Sequence, residues 1–337
     1  MSDLPPGELQ KLFETRVIPH LHDNQNPEHP ASGQRPWFIS VGGQPGAGKG
    51  RVIEAAGRAH PGSVIVNGDD LRTFHPDYPR LMATDPLSMP EATAQAAGNW
   101  VGMSNQWLRD NRVSAVVETT LRQPAVLLRE FEAFKQAGYG TELRVVAVPP
   151  EVSRLGTLTR YVEQVRDTGA GRAVTAEGHD IPTAAVPGTV ETLVASGLVD
   201  RVVVQDRDGR VFLDTEASRG GPELAAKVQD VVDQARDVTS MTSGQAQTWY
   251  RAAESTINAL QRVPVDHDLL QVVARLAGAD ATAIATQAWP NEPTRQQRQV
   301  DKLQRSHWTA VRAATVFPAR AGMIRMLRNG WMAWSCI

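Results

Sequence analysis

Short runs of apolar, mostly β-branched residues recur along the chain up to residue 213 and alternate with longer segments of mixed polarity. The apolar runs lie at residues 37–41, 63–66, 113–117, 143–148, 201–204 and 210–213. The segments of helical length between them lie at residues 90–111, 124–138, 151–168 and 190–198. Apolar strands that alternate with helices are typical of a mainly parallel sheet covered by helices on both faces. We therefore predict an α/β fold.

The two ends of this pattern predict further features. The Asp-Arg-Asp-Gly sequence at residues 206–209 favours a hairpin turn, so we expect the last strand to lie antiparallel at the sheet edge. At the N-terminal end, residues 8–21 have amphipathic helical spacing and precede a polar linker at residues 23–30. We expect this helix to pack on the flank of the core.

From residue 237 onward the strand-like runs disappear. Segments at residues 245–262, 268–276 and 293–316 have helical patterns and are separated by Pro and Gly. We therefore predict an α/β domain over residues 1–236 and a helical C-terminal extension of unknown role over residues 237–337. The stretch 317–337 is rich in Met, Trp and Arg without periodicity, and we expect it to be a dispensable terminal run.

Composition adds a few constraints. The 337 residues are 41% hydrophobic and 21% charged, and the net charge of −2 with scattered basic residues favours no nucleic acid partner. A single cysteine, Cys336, excludes an intramolecular disulfide and fits a reducing compartment. The chain has no window of 18 uninterrupted apolar residues, and its N-terminus lacks the basic and apolar regions of a signal peptide. We expect a cytoplasmic protein with no membrane partner.

The stretch after the first apolar run has the composition of a phosphate-binding loop. It consists of Gly43, Gln44, Pro45, Gly46, Ala47, Gly48, Lys49, Gly50 and Arg51. Its glycines can adopt positive φ, so that successive amide N–H groups turn around one anion. The lysine supplies a charge for the β- and γ-phosphates, and the N-terminus of the next helix adds a partial positive charge. The strand-loop-helix context therefore predicts that the loop binds ATP.

One position departs from the usual loop. Ser or Thr normally follows the lysine and coordinates Mg²⁺, whereas this chain has Gly50 and then Arg51. We expect no direct protein ligand for Mg²⁺, which would instead be held through ATP and water. Adenylate kinases have a similar Gly-Lys-Gly ending, although Ser or Thr usually follows it. A protein that binds ATP but has lost catalysis remains an alternative.

Acidic residues follow the next two predicted strands. Asp69 and Asp70 come after the second run, and Glu118 ends the third, where an acid has little reason to be packed. Ligands of open α/β sheets collect at these strand ends. A carboxylate that faces the γ-phosphate can orient an acceptor hydroxyl and take its proton. Either aspartate is a candidate for this base, and either could instead be a helix cap.

Five ordered blocks of the sequence resemble the zeta toxin family of P-loop kinases. They are Gly43 to Lys49, Gly68 to Tyr78, Glu118 to Arg122, Thr157 to Tyr161, and Gly171 to Ala173 with the trailing His179-Asp180. The resemblance covers residues 8–232. It implies a P-loop fold and a kinase that moves the γ-phosphoryl group of ATP to a hydroxyl of a nucleotide-sugar, typically UDP-N-acetylglucosamine. It also implies a bacterial toxin that an antitoxin holds in check.

The same resemblance implies roles for individual residues. Asp69 would be the general base and Lys49 would hold the phosphates, while Arg160 and Arg172 would neutralise charge on the transferred group. A mobile lid between residues 167 and 187 would carry Arg172. The residues that would bind the acceptor are Asp69, Arg72, Glu118, Thr120 and Arg122.

One departure from the family pattern leaves the acceptor open. Many members have a glutamate that contacts the sugar, and Gly102 stands in the corresponding place. Trp100 could instead offer a stacking surface to a base or sugar, although a core position is the alternative. A kinase for another small-molecule hydroxyl, such as that of a nucleoside, a dinucleotide or an antibiotic, is therefore the second hypothesis.

Overall fold

A computed structural model describes residues 3–23, 27–30, 34–86 and 88–316. Within these residues the strands form a six-stranded sheet in the order β2-β3-β1-β4-β5-β6. The strands are β1 (Trp37–Gly42), β2 (Val64–Val66), β3 (Ala115–Thr119), β4 (Gly140–Val146), β5 (Arg201–Gln205) and β6 (Val211–Glu216). Strands β1 to β5 are parallel, and β6 pairs antiparallel with β5. The predicted α/β fold and its antiparallel edge are confirmed.

Helices flank the sheet and continue beyond it. Up to residue 236 they are α1 (Pro6–Leu12), α2 (Ile18–Asp23), α3 (Lys49–Ala59), α4 (Gly68–Leu71), α5 (Tyr78–Thr84), α6 (Met89–Ala92), α7 (Ala94–Asp110), α8 (Pro124–Gln136), α9 (Pro150–Thr168), α10 (Ala176–Ala195) and α11 (Pro222–Arg236). Beyond it they are α12 (Ser243–Leu260), α13 (His267–Arg275), α14 (Ala281–Ala288) and α15 (Pro293–Val316). A π-helical segment, Phe13–Val17, joins α1 to α2 into the amphipathic helix that the sequence predicts.

Burial on both faces explains why β1 is apolar throughout. Phe38 lies in a core on one face, where its ring stacks on Phe134 of α8 with centroids 4.1 Å apart. Its neighbour Ile39 lies in a second cluster with Val52 of α3. The alternation of side chains along a strand thus sends successive residues into two cores. This burial fixes β1 in the middle of the sheet, and with it the loop that follows.

Two helices differ from the sequence expectation. Residues 176–187 were expected to be part of a lid, but α10 begins at Ala176 and includes Pro182 and Pro187. Thr175 caps this helix by accepting a hydrogen bond from Gly178 N, and apolar residues farther along it are buried in the main core. Burial therefore outweighs the helix-breaking tendency of the two prolines. The helical pattern expected to end at residue 276 continues through a π turn into α14.

The C-terminal helices form a core of their own, which they share with α9. Leu155 and Leu158 of α9 pack in one cluster with Trp249 of α12 and Ile284 of α14. The helical run His267–Ala288 is long and apolar enough by composition to cross a membrane, but half of its most apolar window is buried inside this cluster. It therefore has the character of a core helix. The predicted terminal run 317–337, including Cys336, lies outside the described residues.

Candidate functional site

The phosphate loop lies between β1 and α3, at the carboxyl edge of the sheet. Gly46 and Gly48 have φ of +77° and +88°, a left-handed backbone that favours glycine. A Cβ on Gly46 would overlap the carbonyl oxygen of Ser153 in α9, so the close approach of that helix also requires glycine. The first turn of α3 begins at Lys49 and directs its free N–H groups toward the loop. The arrangement has the backbone and the dipole of an anion site.

Lys49 is held across the mouth of the loop. Its Nζ donates to the carbonyl oxygens of Gly43 at 2.9 Å and Gln44 at 3.3 Å, and it lies 3.3 Å from Oε1 of Glu118. Burial lowers the pKa of Lys49, although the Glu118 carboxylate opposes the change. The Glu118 carboxylate therefore pairs with a buried ammonium group that a phosphate could also neutralise.

The remaining loop residues differ in their surroundings. Gln44 is buried and its amide donates to the carbonyl oxygen of Val148 at 2.8 Å, so it anchors the loop to the end of β4. Arg51 is exposed and pairs with Asp208 at 3.3 Å. A Cβ on Gly50 would meet nothing within 4 Å. Packing therefore leaves room for a side chain at the position where Ser or Thr is usual.

Asp69 is at the centre of an ion-paired cluster on the neighbouring strand ends. The helix that carries it, α4, is capped by Asn67, whose Oδ1 accepts from Asp69 N at 2.9 Å, so Asp69 is not the cap. Its Oδ1 pairs with the Arg172 guanidinium and with Nε of Arg72 at 3.3 Å. Burial alone would raise the pKa of Asp69, but these cations, with Arg160, lower it to about 2. The carboxylate is therefore ionised at every physiological pH.

The two arginines that bind Asp69 are themselves held by hydrogen bonds to other parts of the chain. Arg72 donates through Nη1 to the carbonyl oxygen of Pro90 at 2.6 Å and to Oγ1 of Thr93 at 2.8 Å. Arg172 lies on the segment between α9 and α10, where its backbone N–H donates to Oε1 of Gln164 at 2.9 Å. Asp69 is thus positioned by contacts that come from two different parts of the chain.

Arg160 of α9 completes the cluster. Burial and the neighbouring Arg172 lower its pKa to about 10, while Asp69 and Glu118 oppose this change. Its Nε is buried and has no hydrogen-bond partner among the described residues. Because a buried guanidinium normally satisfies its donors, this one is available to a negatively charged ligand.

Other expected residues lie outside this cluster. Thr120 and Arg122 are exposed on the loop after β3, and neither takes part in the Asp69 ion pairs. Trp100 is fully buried, and its indole N–H donates to the carbonyl oxygen of Leu9 at 3.1 Å. The possibility that Trp100 stacks on a ligand is therefore wrong, and it is a core residue. Gly102 lies on an outward face of α7, with nothing within 4 Å of the position of a Cβ.

Arg207, in the β5-β6 turn, contacts the loop from outside and was not predicted as a site residue. Its Nη2 donates to the carbonyl oxygen of Gly46, and its Nε donates to that of Ala47 at 3.3 Å. These residues are 160 or more positions apart, so no local pattern reveals the contact. The turn sequence at residues 206–209 predicts a hairpin at this position, but it does not predict a contact with the loop.

A buried polar chain behind the loop was also missed. Ser153 Oγ lies 2.8 Å from Nε2 of His179, and Nδ1 of that ring lies 2.8 Å from Asp180. Arg154 donates to Asp180 at 2.9 Å and, through Nη1, to both oxygens of Asp280 at 2.6 Å. Ser153 and His179 are completely buried. This series of hydrogen-bonded side chains therefore supports α9 and is not a nucleophile site. Among the described residues, no group of three or more His, Cys, Asp or Glu side chains could hold a metal ion.

The chain is similar to known toxins over the part that forms the sheet and the cluster. A family model described as Zeta toxin matches residues 20–218. Toxin PezT of Streptococcus pneumoniae serotype 4 is 30% identical over 187 residues, which cover 55% of this chain and 74% of that protein. Toxin zeta of Enterococcus hirae is 28% identical over 200 residues, 59% of this chain and 69% of that protein.

A likeness of fold accompanies the likeness of sequence. A solved structure from the PezAT chromosomal toxin-antitoxin system of Streptococcus pneumoniae aligns with a TM-score of 0.62 and 23% identity. The alignment covers 76% of this chain and 99% of that one. The family match itself ends at residue 218, before α12 begins.

Proposed function

The chain belongs to the zeta toxin family, and from that membership we propose that it is an ATP-dependent kinase. It transfers the γ-phosphoryl group of ATP to a hydroxyl of a nucleotide-sugar, and UDP-N-acetylglucosamine is the proposed acceptor. The enzyme acts in a bacterial cytoplasm as a toxin, and a cognate antitoxin protein holds it in check. Two curated relatives are named as toxins, which supports this part of the proposal.

The observation that carries the proposal is the position of Asp69 beside the phosphate loop. Asp69 follows β2 at the carboxyl edge of the sheet from which the loop leaves β1, and Glu118, near the end of the intervening strand β3, lies 3.3 Å from Lys49. An acid on one side of the site and a phosphate-binding lysine on the other are what an in-line transfer between two bound substrates needs.

In the proposed reaction the loop amides and Lys49 bind the donor phosphates. Asp69 accepts a hydrogen bond from the acceptor hydroxyl and directs its oxygen at the γ-phosphorus. The new P–O bond forms as the bond to the β,γ-bridging oxygen breaks, and the electron pair of the broken bond stays on ADP. The hydroxyl proton passes to Asp69, while Arg160 and Arg172 neutralise charge on the transferred group.

The low pKa of Asp69 suits this role. Phosphoryl transfer proceeds through a loose transition state, in which the nucleophile needs orientation more than strong activation. A carboxylate that is always ionised orients the hydroxyl at any working pH and receives the proton late, when the oxygen has become acidic. Glu118, Arg72, Thr120 and Arg122 are proposed to bind the acceptor.

Mg²⁺ is proposed to be held through the ATP oxygens and water. The loop lacks a hydroxyl at Gly50, so the chain offers no usual ligand there. Mg²⁺, when bound, neutralises charge on the β- and γ-phosphates. The rest of the charge stabilisation falls to Lys49, Arg160 and Arg172.

A second candidate function is a kinase for another small-molecule hydroxyl. The observation that favours it is Gly102, which offers no carboxylate to a sugar and faces outward from α7. A panel of nucleosides, dinucleotides and hydroxyl-bearing antibiotics, screened with ATP for a phosphorylated product, would separate the two candidates.

The test is a transfer assay with a matched pair of variants. Purified protein with ATP, Mg²⁺ and UDP-N-acetylglucosamine should yield a phosphorylated nucleotide-sugar by mass spectrometry. Asp69→Asn should lower turnover by about 100-fold or more because the proton acceptor is gone. Asp70→Asn should keep most of the activity, since Asp70 is exposed and lies outside the ion pairs.

The outcomes separate the alternatives. Equal turnover by wild-type protein and Asp69→Asn would remove Asp69 as the base. Binding of ATP with no product from any acceptor would favour a protein that has lost catalysis, as the glycine at position 50 allows.

A further inference from the structure

A cavity of about 420 Å³ extends from Arg207, which contacts the phosphate loop, to the C-terminal helices. Its volume is in the range of small-molecule sites, about 300–1,000 Å³. Three distant parts of the chain line it: Val148 and Leu155 from the end of β4 and from α9, Arg207 from the β5-β6 turn, and Thr248 and Trp249 from α12. The cavity is therefore built jointly by the α/β part and the C-terminal helices.

Arg207 connects this cavity to the loop. It lines the cavity and also donates to the carbonyl oxygens of Gly46 and Ala47. A Cβ on Gly48 would lie 2.9 Å from Cβ of Arg207, so the side chain is packed directly on the loop backbone. A ligand whose phosphates are bound by the loop amides would therefore pass Arg207 where the rest of the ligand extends from the loop into the cavity.

The strand order shows which end of the donor lies on this side. Strand β1, which leads into the loop, has β3 and β2 on one side and β4 and β5 on the other. Asp69 and Glu118 lie at the ends of β2 and β3, on the acceptor side. Val148 and Arg207 follow β4 and β5, on the opposite side. A triphosphate that lies across the carboxyl edge of the sheet with its γ-phosphate toward Asp69 has room for its nucleoside on the β4 and β5 side, where the cavity opens.

We propose that this cavity receives the adenosine part of the phosphate donor, so that the C-terminal helices supply one wall of the nucleotide site. The inference rests on the proposed kinase function. The wall formed by α12 lies beyond the family match, which ends at residue 218, whereas the lining residues of this wall fall between 241 and 252.

The chemistry of the walls fits a flat aromatic base with a polar edge. Val148, Leu155 and Trp249 supply apolar surface, and the Arg207 guanidinium can lie against a base plane. Gln245 lines the same cavity: its Oε1 accepts from Thr242 in the cap of α12, which leaves its Nε2 to donate to a ring nitrogen. Trp249 is fixed in place because its indole N–H donates to the carbonyl oxygen of Glu151 at 3.0 Å.

The experiment fills the cavity and compares two ligands by calorimetry. Thr248 is exposed on α12 at the cavity, so Thr248→Trp should weaken ATP binding by about tenfold or more. Tripolyphosphate, which has no nucleoside, should bind the variant as it binds the wild-type protein. The control is Thr282→Trp on α14, another exposed threonine that does not line the cavity. Both hydroxyls donate to the carbonyl four residues earlier at 2.9 Å.

The other results are equally decisive. Unchanged ATP affinity in Thr248→Trp, or an equal loss of ATP and tripolyphosphate, would overturn the inference while leaving the kinase function standing. A wild-type protein that binds neither ligand would overturn the kinase function, and the inference with it.

A second measurement does not depend on the folding of a variant. Photolabelling of the wild-type protein with 8-azido-ATP should mark peptides that contain residues 206–212 or 241–252, and excess ATP should prevent the labelling. Labelling confined to peptides from other parts of the chain would overturn the inference.

Discussion

At the scale of single residues, Asp69 shows how neighbours decide the state of an acid. Burial would favour its neutral form, whereas Arg172 and Arg72 hold it as a carboxylate. The adjacent Asp70 is more exposed and forms no ion pair within the described residues, and partial desolvation with the nearby Asp69 charge raises its pKa. Two neighbouring aspartates thus have opposite shifts, a difference typical of functional sites.

The pH dependence of turnover follows from this pairing. The wild-type Asp69 pKa of about 2 lies below the unfolded value of about 3.9, so activity should show no acid limb from this group above pH of about 4. In Arg172→Gln the main opposing charge is gone while burial remains, so the pKa of Asp69 should rise. The acid limb of the kcat profile should then move to higher pH.

The readout is the shape of the profile, because Arg172 also serves the transferred group and its loss lowers kcat at every pH. Arg166→Gln is the matched control, since Arg166 is exposed and pairs only with Asp167 in the described structure. An Arg172→Gln profile with the same acid limb as wild type would contradict the assigned pairing.

At the scale of elements, the loop is shaped by the helix packed on it. Gly46 and Gly50 are four residues apart and differ completely in their surroundings. Gly46 has a left-handed backbone and touches α9, whereas Gly50 lies in the first turn of α3 with open space around it. Two glycines of one motif therefore have different reasons to be glycine.

Alanine substitution should separate them. Gly46→Ala must place a Cβ against Ser153 at positive φ, so it should destabilise the protein by at least about 1–2 kcal/mol and abolish ATP binding. Gly50→Ala adds a better helix former in free space and should stabilise by about 0.5–1 kcal/mol with ATP binding retained. Thermal unfolding and calorimetry measure both. Equal effects of the two changes would refute the loop geometry.

The elements also show where prediction from sequence succeeds. The strands, the loop and the blocks that contain Asp69 and Arg160 are local patterns, so the sequence alone predicts them. The start of α10 was not, because its prolines favour a loop until tertiary burial is known. The contacts of Arg207 with the loop were also missed, because they join residues 160 or more positions apart.

At the scale of the whole molecule, α9 belongs to both halves of the chain. One part of it contacts the loop and carries Arg160, while Leu155 and Leu158 lie in the core of the C-terminal helices. Arg154 strengthens the link through its buried ion pair with Asp280. We therefore propose that residues 237–316 are an extension that supports the site, with the division at residue 236 kept as a proposal.

Breaking that ion pair should destabilise the whole protein. Asp280→Asn leaves a buried guanidinium without its main partner and should cost about 3 kcal/mol, seen as a lower midpoint of thermal unfolding. The control is Glu254→Gln, which breaks a more exposed pair with Lys302 and should cost less than about 1 kcal/mol. A similar cost for both variants would mean that the buried pair contributes little.

The most direct measurement is a crystal structure with a non-hydrolysable ATP analogue and UDP-N-acetylglucosamine bound together. It should show the acceptor hydroxyl between the Asp69 carboxylate and the γ-phosphorus, with Lys49 on the donor phosphates and Arg160 and Arg172 around the transferred group. A complex in which Asp69 turns away from the nucleotide, on a face that the acceptor cannot reach, would contradict the account.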